Sequence, residues 1–258
     1  MKKVKAKKQL GQHFLTNLQI AQDTVDAFGR DSNFNRGIEI GPGMGVLTEA
    51  LKKRTELDFK VVDIDEESIT YLKENQIISN SQLIHGDFLK MDLKTIFGDE
   101  PFGIIGNFPY NISTQILFKL YDYRDQAVEL VGMFQKEVAE RVVSPPGSKV
   151  YGITSVLLQA FYDVEYLFTV DEHDFDPPPK VKSAVIRLKR NQTKALDCDE
   201  KKFKQTVKMA FNQRRKTLRN ALKALINQKP EVKSDPIFDE RAEQLSVKEF
   251  VHIVHLLD

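Results

Sequence analysis

The stretch that most restricts the fold is residues 37–51. Gly37-Ile38-Glu39-Ile40 reads as a short strand and runs directly into Gly41-Pro42-Gly43-Met44-Gly45. Apolar residues then recur at helical spacing, at Val46, Leu47, Ala50 and Leu51. A strand, a glycine turn and a helix start, in that order, make a nucleotide-binding corner. Glycines let the backbone approach a ligand closely, and the N–H groups of a helix start favour polar or anionic groups.

Three more strands reach a polar residue at their carboxyl ends. Residues 59–62 end at Asp63, residues 82–85 run into Gly86-Asp87, and Ile104-Ile105-Gly106 runs into Asn107. A fifth strand is expected from Ala127 to Phe134, with a helix from Lys136 to Val143 stopped by Pro145-Pro146-Gly147. Residues 18–28 and 152–161 read as helices, and 164–170 and 183–188 as two closing strands. Alternating strands and helices imply an α/β fold with a parallel sheet covered on both faces. Ligands then bind beyond the carboxyl strand ends, so Gly41, Asp63, Asp87 and Asn107 converge on one crevice. After residue 190 the pattern becomes helical only, with Phe203, Val207, Ala210 and Phe211, then Leu218, Ala221, Leu222 and Leu225. We therefore expect a mobile basic segment at 1–17, a catalytic domain at 18–190 and a small all-α domain at 191–258.

Composition narrows the setting. The single cysteine, Cys198, excludes an intramolecular disulfide and a cysteine-cluster metal site, and it fits a reducing cytoplasm. No run approaches the roughly 18 uncharged apolar residues of a membrane span, and no apolar core of a signal peptide follows the first lysines. The net charge of +1 is segregated. Lys2, Lys3, Lys5, Lys7 and Lys8 give +5 in eight residues, and residues 180–223 carry 15 Lys or Arg against Asp197, Asp199 and Glu200. The remainder is strongly acidic. Two basic blocks on a near-neutral chain suggest a polyanionic partner such as a nucleic acid, against the alternative of a solvated surface.

Gly41-Pro-Gly-Met-Gly45 is GxGxG. A dinucleotide reading would use the helix start for a pyrophosphate. S-adenosylmethionine has no phosphate, and it calls for an acid at the second strand for its ribose and another after the third near its adenine. Asp63 and Asp87 fit that scheme, as does Glu39 two residues before Gly41. Asn107-Phe108-Pro109-Tyr110 places a carboxamide, a carbonyl and an aromatic ring side by side. If an exocyclic amine donates to the Asn107 side-chain oxygen and the Pro109 carbonyl, its nitrogen can pyramidalise towards a methyl donor. Such catalysis is orientation plus preorganised acceptors, without a strong base. Tyr110 can stack on an unstacked adenine. The bland alternative is a turn with an Asn cap. Pro177-Pro178-Pro179 reads as a stiff extended segment or a rigid linker.

With these motifs the chain resembles the KsgA/RsmA-type small-subunit rRNA adenine N6,N6-dimethyltransferases. The resemblance runs through Leu10-Gly11-Gln12-His13-Phe14-Leu15, Glu39 to Gly45, Asn107 to Thr114, Gln135 to Arg141, Phe175 to Val181 with Ser183-Ala184-Val185, and Phe211 to Asn220. It implies a Rossmann-like S-adenosylmethionine-dependent sheet with a small carboxyl-terminal all-α domain. It implies dimethylation of two adjacent adenosines in the 3′-terminal hairpin loop of 16S rRNA, on a late assembly intermediate of the small subunit. It further implies that His13 and Leu15 contact the methyl donor with Gly41, Gly43, Asp63, Asp87 and Asn107. Asn107, Pro109 and Tyr110 would be catalytic, with Phe175 stacking on the adenine opposite Tyr110. Arg214, Arg215, Lys216 and Arg219, read as one helix face, would contact rRNA phosphates. No metal is expected, and the protein would act as a cytoplasmic monomer away from membranes. His13, Asp63 and Phe108 depart from the commonest pattern, which has Asn, Glu and Leu there. The rivals are the same chemistry on 23S rRNA, a non-catalytic assembly factor with a methyl-donor pocket, and a NAD-dependent oxidoreductase.

Overall fold

The computed structural model describes residues 4–30 and 34–258. Lys2 and Lys3 of the first basic block lie outside them. The chain divides into two units: residues 4–139 with 164–190, and residues 140–163 with 191–258.

The first unit opens with a two-residue strand β1 (Phe14–Leu15) and helix α1 (Leu18–Ala27), capped by the Asn17 side chain, which accepts from the N–H of Gln19 and Ile20. There follow β2 (Arg36–Ile40), α2 (Val46–Leu51), β3 (Asp58–Asp63), α3 (Glu66–Glu74), β4 (Leu83–His85), α4 (Lys94–Phe97), β5 (Phe102–Asn107), α5 (Ser113–Asp122) and β6 (Ala127–Gln135). Helices α6 (Lys136–Val143) and α7 (Ile153–Gln159) lead to β7 (Tyr162–Val170), a two-residue β8 (Phe175–Asp176) and β9 (Ser183–Arg190).

Seven strands form one sheet in the order β4-β3-β2-β5-β6-β9-β7. From β4 to β6 all pairings are parallel, so the four polar strand ends share one edge. The expected all-parallel sheet needs correction at β9, which runs antiparallel to β6 with Met133 opposite Val185 and Gln135 opposite Ser183. Period-two patterning cannot report strand direction, and the apolar residues of β9, Ala184 to Ile186 and Leu188, fit either direction beside β6. Helices α1 and α2 pack Val25, Phe28, Leu47 and Leu51 against Phe59, Val61, Ile105 and Val131. The strand residues of opposite parity, Ile38, Ile104, Leu130 and Phe134, are equally buried, so the sheet is covered on both faces. Each such side chain contributes about 1.5–3 kcal/mol relative to exposure.

The second unit holds α7, α8 (Glu200–Asn212), α9 (Leu218–Ala221), α10 (Lys223–Ile226) and α11 (Val247–Leu257). Asp199 caps α8 and a Ser246/Glu249 box caps α11. The expected boundary at 191 moves: residues 140–163 cluster with these helices because α7 packs on α8 and α11. The Tyr151, Phe211 and Phe250 rings follow one another at 6.2 and 6.1 Å. No helix among the described residues is long and apolar enough to cross a membrane.

Candidate active site

A cavity lies at the parallel strand ends of the first unit. It is lined by Gly41 and Gly43 after β2, Asp63 at the end of β3 with Ile64 beyond it, Asp87 after β4, and Asn107 at the end of β5 with Phe108 to Ile112 beyond it. Leu10 to Leu15 line it as well. Gly41 and Gly43 have φ of +67° and +57°, left-handed values that disfavour a side chain. A Cβ at Gly43 would stand 2.6 Å from the Phe14 ring. The glycine turn is therefore shaped by the amino-terminal segment as much as by any ligand.

Residues 4–17, expected from composition to be mobile until something binds, are placed against these strand ends. Asp65, at the start of α3, takes the Lys7 ammonium at 2.5 Å on one carboxylate oxygen and the Gln12 amide at 2.8 Å on the other. Burial alone would raise the Asp65 carboxyl. The Lys7 and Gln12 hydrogen bonds outweigh it and hold the group below its ordinary value. β1 pairs antiparallel with β8, and the Nδ1 of His13 lies 2.8 Å from the Pro177 carbonyl. Polar composition hides these anchors, because they are single long-range interactions without period. Nothing in the sequence marks Lys7, Asp65 or Pro177 as partners, and Gln12 stands out only through the motif around it.

The Asn107 Nδ2 donates to the His13 carbonyl at 2.8 Å. Its Oδ1 is thereby directed away as an acceptor. The Pro109 carbonyl accepts from the Ile112 N–H at 3.1 Å and keeps a second lone pair. The Tyr110 hydroxyl is 2.6 Å from that of Ser183, which fixes the ring at the β9 start. Burial raises the Tyr110 phenol above its ordinary value. The His13 ring lies 5.3 Å from the Tyr110 ring.

Phe175 and Phe108 are both packing residues. Phe175 is 4% exposed, belongs to the core cluster under β1, and does not line the cavity. Its pairing with Leu15 turns it inward. Phe108 lines the cavity but is also a packing residue: its ring fills the space left by Gly106 and Gly132 and meets Phe134 edge-on at 5.0 Å. Leu15 is likewise both cavity lining and core.

The electrostatics are one-sided. Asp63 and Asp87 line the cavity, and among the described residues no Lys or Arg does. Burial pushes the Asp63 carboxyl up to about 6, against hydrogen bonds from the backbone N–H of Asp65 and Gly43. Behind it Glu39 is fully buried, accepts from the Thr48 hydroxyl at 2.7 Å, and is pushed up to about 8. Asp87 accepts from the Leu89 N–H at 3.0 Å. The Lys119 ammonium pins the loop after it, donating to the carbonyls of Phe88 at 2.6 Å, Leu89 at 3.2 Å and Met91. Burial lowers the Lys119 pKa. Such a cavity offers no cation for a pyrophosphate. It suits a ligand that brings hydroxyl and amino donors and a positive charge.

In the second unit Arg214, Arg215 and Lys216 sit in the turn after α8, not on a helix face. Arg215 and Lys216 are exposed. Arg214 donates to the Lys149 carbonyl and lines a small cleft with Lys149, Arg241 and Glu243. Arg219 is committed internally, with Nε 2.8 Å and Nη2 2.7 Å from Asp239. The helical pattern continues through the turn because α9 resumes at Leu218.

Residues 3–258 match the family model described as ribosomal RNA adenine dimethylase. The chain belongs to that family. The adenine dimethylases use S-adenosylmethionine, and the hydroxyl-accepting, cation-free cavity fits that methyl donor. The chain is 62% identical over 258 residues to the ribosomal RNA small subunit methyltransferase A of Cytophaga hutchinsonii, covering 100% of this chain and 99% of the relative. It is 54% identical to the protein of that name from Bacteroides thetaiotaomicron, covering 100% and 96%. Among solved structures, a dimethyladenosine transferase from Plasmodium falciparum matches with a TM-score of 0.75 at 25% identity, covering 93% and 95%. The 23S rRNA methyltransferase ErmE matches with a TM-score of 0.64 at 21% identity, covering 94% and 99%, which shows the shared fold. This dimethylase is thus a Rossmann-like α/β enzyme with a helical carboxyl-terminal part.

Proposed function

We propose that this dimethylase methylates the N6 amines of two adjacent adenosines in the 3′-terminal hairpin loop of 16S rRNA, acting as a cytoplasmic monomer on a late small-subunit intermediate. The relatives' shared name supports the small subunit as target. The observation that carries the chemistry is the Asn107 amide, whose nitrogen donates to the His13 carbonyl so that its oxygen faces the other way as an acceptor.

Asp63 accepts the ribose hydroxyls of the methyl donor, Asp87 accepts from its adenine amine, and the Gly41–Gly43 turn with His13 and Leu15 closes around the remainder. S-adenosylmethionine supplies an electrophilic methyl on its sulfonium. The Asn107 Oδ1 and the Pro109 carbonyl accept the two N–H bonds of the target amine and turn its lone pair out of the ring plane. No strong base is needed, because the nitrogen becomes acidic only as it gains the methyl. Tyr110, held by Ser183, supports the extruded base. The exposed Arg215 and Lys216, with Arg214, meet rRNA phosphates. In place of Phe175, the aromatic surface beside Tyr110 is His13.

The test is mass spectrometry of rRNA fragments after incubation with S-adenosylmethionine and undermethylated small subunits. Two adjacent dimethyladenosines near the 3′ end are expected. Incorporation into large subunits only would sink the assignment.

A further inference from the structure

We infer that residues 7–15 form a strap that sets the orientation of the Asn107 amide, with Asp65 as the strap's latch. The inference rests on the reading of Asn107 as an acceptor for the substrate amine and deepens it.

A carboxamide is nearly symmetric in shape. Rotating it by half a turn exchanges an acceptor for a donor at the same point in space. With the nitrogen forward, Asn107 would present N–H groups to an amine that also presents N–H groups, and no hydrogen bond could form. The neighbour that decides the matter is the His13 carbonyl, 2.8 Å from Nδ2. A carbonyl only accepts, so it takes the nitrogen end and turns Oδ1 the other way.

The His13 carbonyl belongs to the strap, not to the sheet. Both carboxylate oxygens of Asp65 hold the strap, through Lys7 and Gln12, and the Lys7 N–H donates to the Gln12 side chain at 2.9 Å. The Asn111 amide adds a bond to the Gln9 carbonyl at 3.2 Å. Asp65 itself does not line the cavity. It is a positioning residue, acting on the chemistry through the strap. Six consecutive strap residues, Leu10 to Leu15, form one wall of the cavity. One closure therefore covers the methyl donor and aligns the catalytic amide, so Asn107 is competent only when the strap is down.

Two variants test this. Lys7→Ala/Gln12→Ala removes the strap's ties to Asp65 while leaving Asp65 to cap α3. Asp65→Asn keeps a capping oxygen but loses the ion pair. Binding is read by calorimetry with S-adenosylhomocysteine. Chemistry is read as single-turnover transfer of labelled methyl into undermethylated small subunits, with S-adenosylmethionine saturating for each variant. Weaker binding is expected together with a saturated rate reduced about tenfold or more, since misplacing a reacting group has that scale of cost. Weaker binding with a wild-type saturated rate would reduce the strap to a cofactor cover and overturn the proposal. The orientation is read directly from the Asn107 side-chain amide in a ¹⁵N spectrum of the S-adenosylhomocysteine complex. Slow hydrogen exchange in the wild type and fast exchange in both variants is expected, and equal protection in all three would overturn it. The spectrum judges the strap even if the wild type methylates no adenine, an outcome that would sink the functional reading alone.

Discussion

At Gly132 a methyl group would stand 2.0 Å from the Phe108 ring, so one of the two must yield. Gly132→Ala is expected to cost about 1–3 kcal/mol by overpacking. Because Phe108 adjoins Asn107, the substitution should also lower the methylation rate. Phe108→Leu, placed on top of it, should recover part of both, read as melting temperature and initial rate. The Asp63 carboxyl makes a second prediction. Its value of about 6 means that it is mostly ionised above that pH and mostly protonated below it, and an ionised carboxylate is the better acceptor for ribose hydroxyls. Affinity for S-adenosylhomocysteine should fall as pH drops through about 6. Asp63→Asn should bind more weakly at pH 7.5 and lose this pH dependence, which calorimetry between pH 5 and 8 checks. At this scale the sequence was readable where the proposed site is local. Asn107, Pro109 and Tyr110 occupy one turn, so their chemistry can be argued from adjacency. The packing role of Phe108 could not be, because Gly132 lies 24 positions on and only the β5–β6 register brings it under the ring.

Among the elements, the strands from β2 to β6 were legible because a buried parallel strand is a short apolar run ended by a polar residue. The pairing of β1 with β8 was not, since two-residue strands carry no period. That pairing is also why the burial of Phe175 was not legible: a motif names a residue, but the pairing of its strand decides which way it points. The turn after α8 makes the same point with a prediction. Arg219 already holds Asp239, an exposed pair worth about 0–1 kcal/mol. Arg219→Ala should therefore change stability slightly and rRNA affinity little. Arg215→Ala/Lys216→Ala should weaken rRNA binding and reduce the salt slope by about 1 for each phosphate left without its cation. Filter binding across a salt series separates the two outcomes.

For the whole molecule, charge is expected to govern encounter with RNA. Basic blocks at the amino terminus and at 180–223 sit on an otherwise acidic chain. Docking through phosphates should make log affinity fall linearly with log salt. Near-constant affinity between 50 and 200 mM salt would count against it. Both basic blocks were visible in the sequence. Their division of labour was not, since Lys7 is engaged with Asp65 of the same chain. The strap also ties the catalytic unit together in time. His13 meets Pro177 across 164 residues, and Thr16 reaches Asp174 across 158. A ribosome adding about 5–20 residues per second needs roughly ten to thirty seconds to cover that interval. The segment that completes the site emerges early and waits for its last partners. A nascent chain therefore carries Asn107 well before it has every partner that holds the strap, and it should gain methylation competence only after β8 has cleared the exit tunnel.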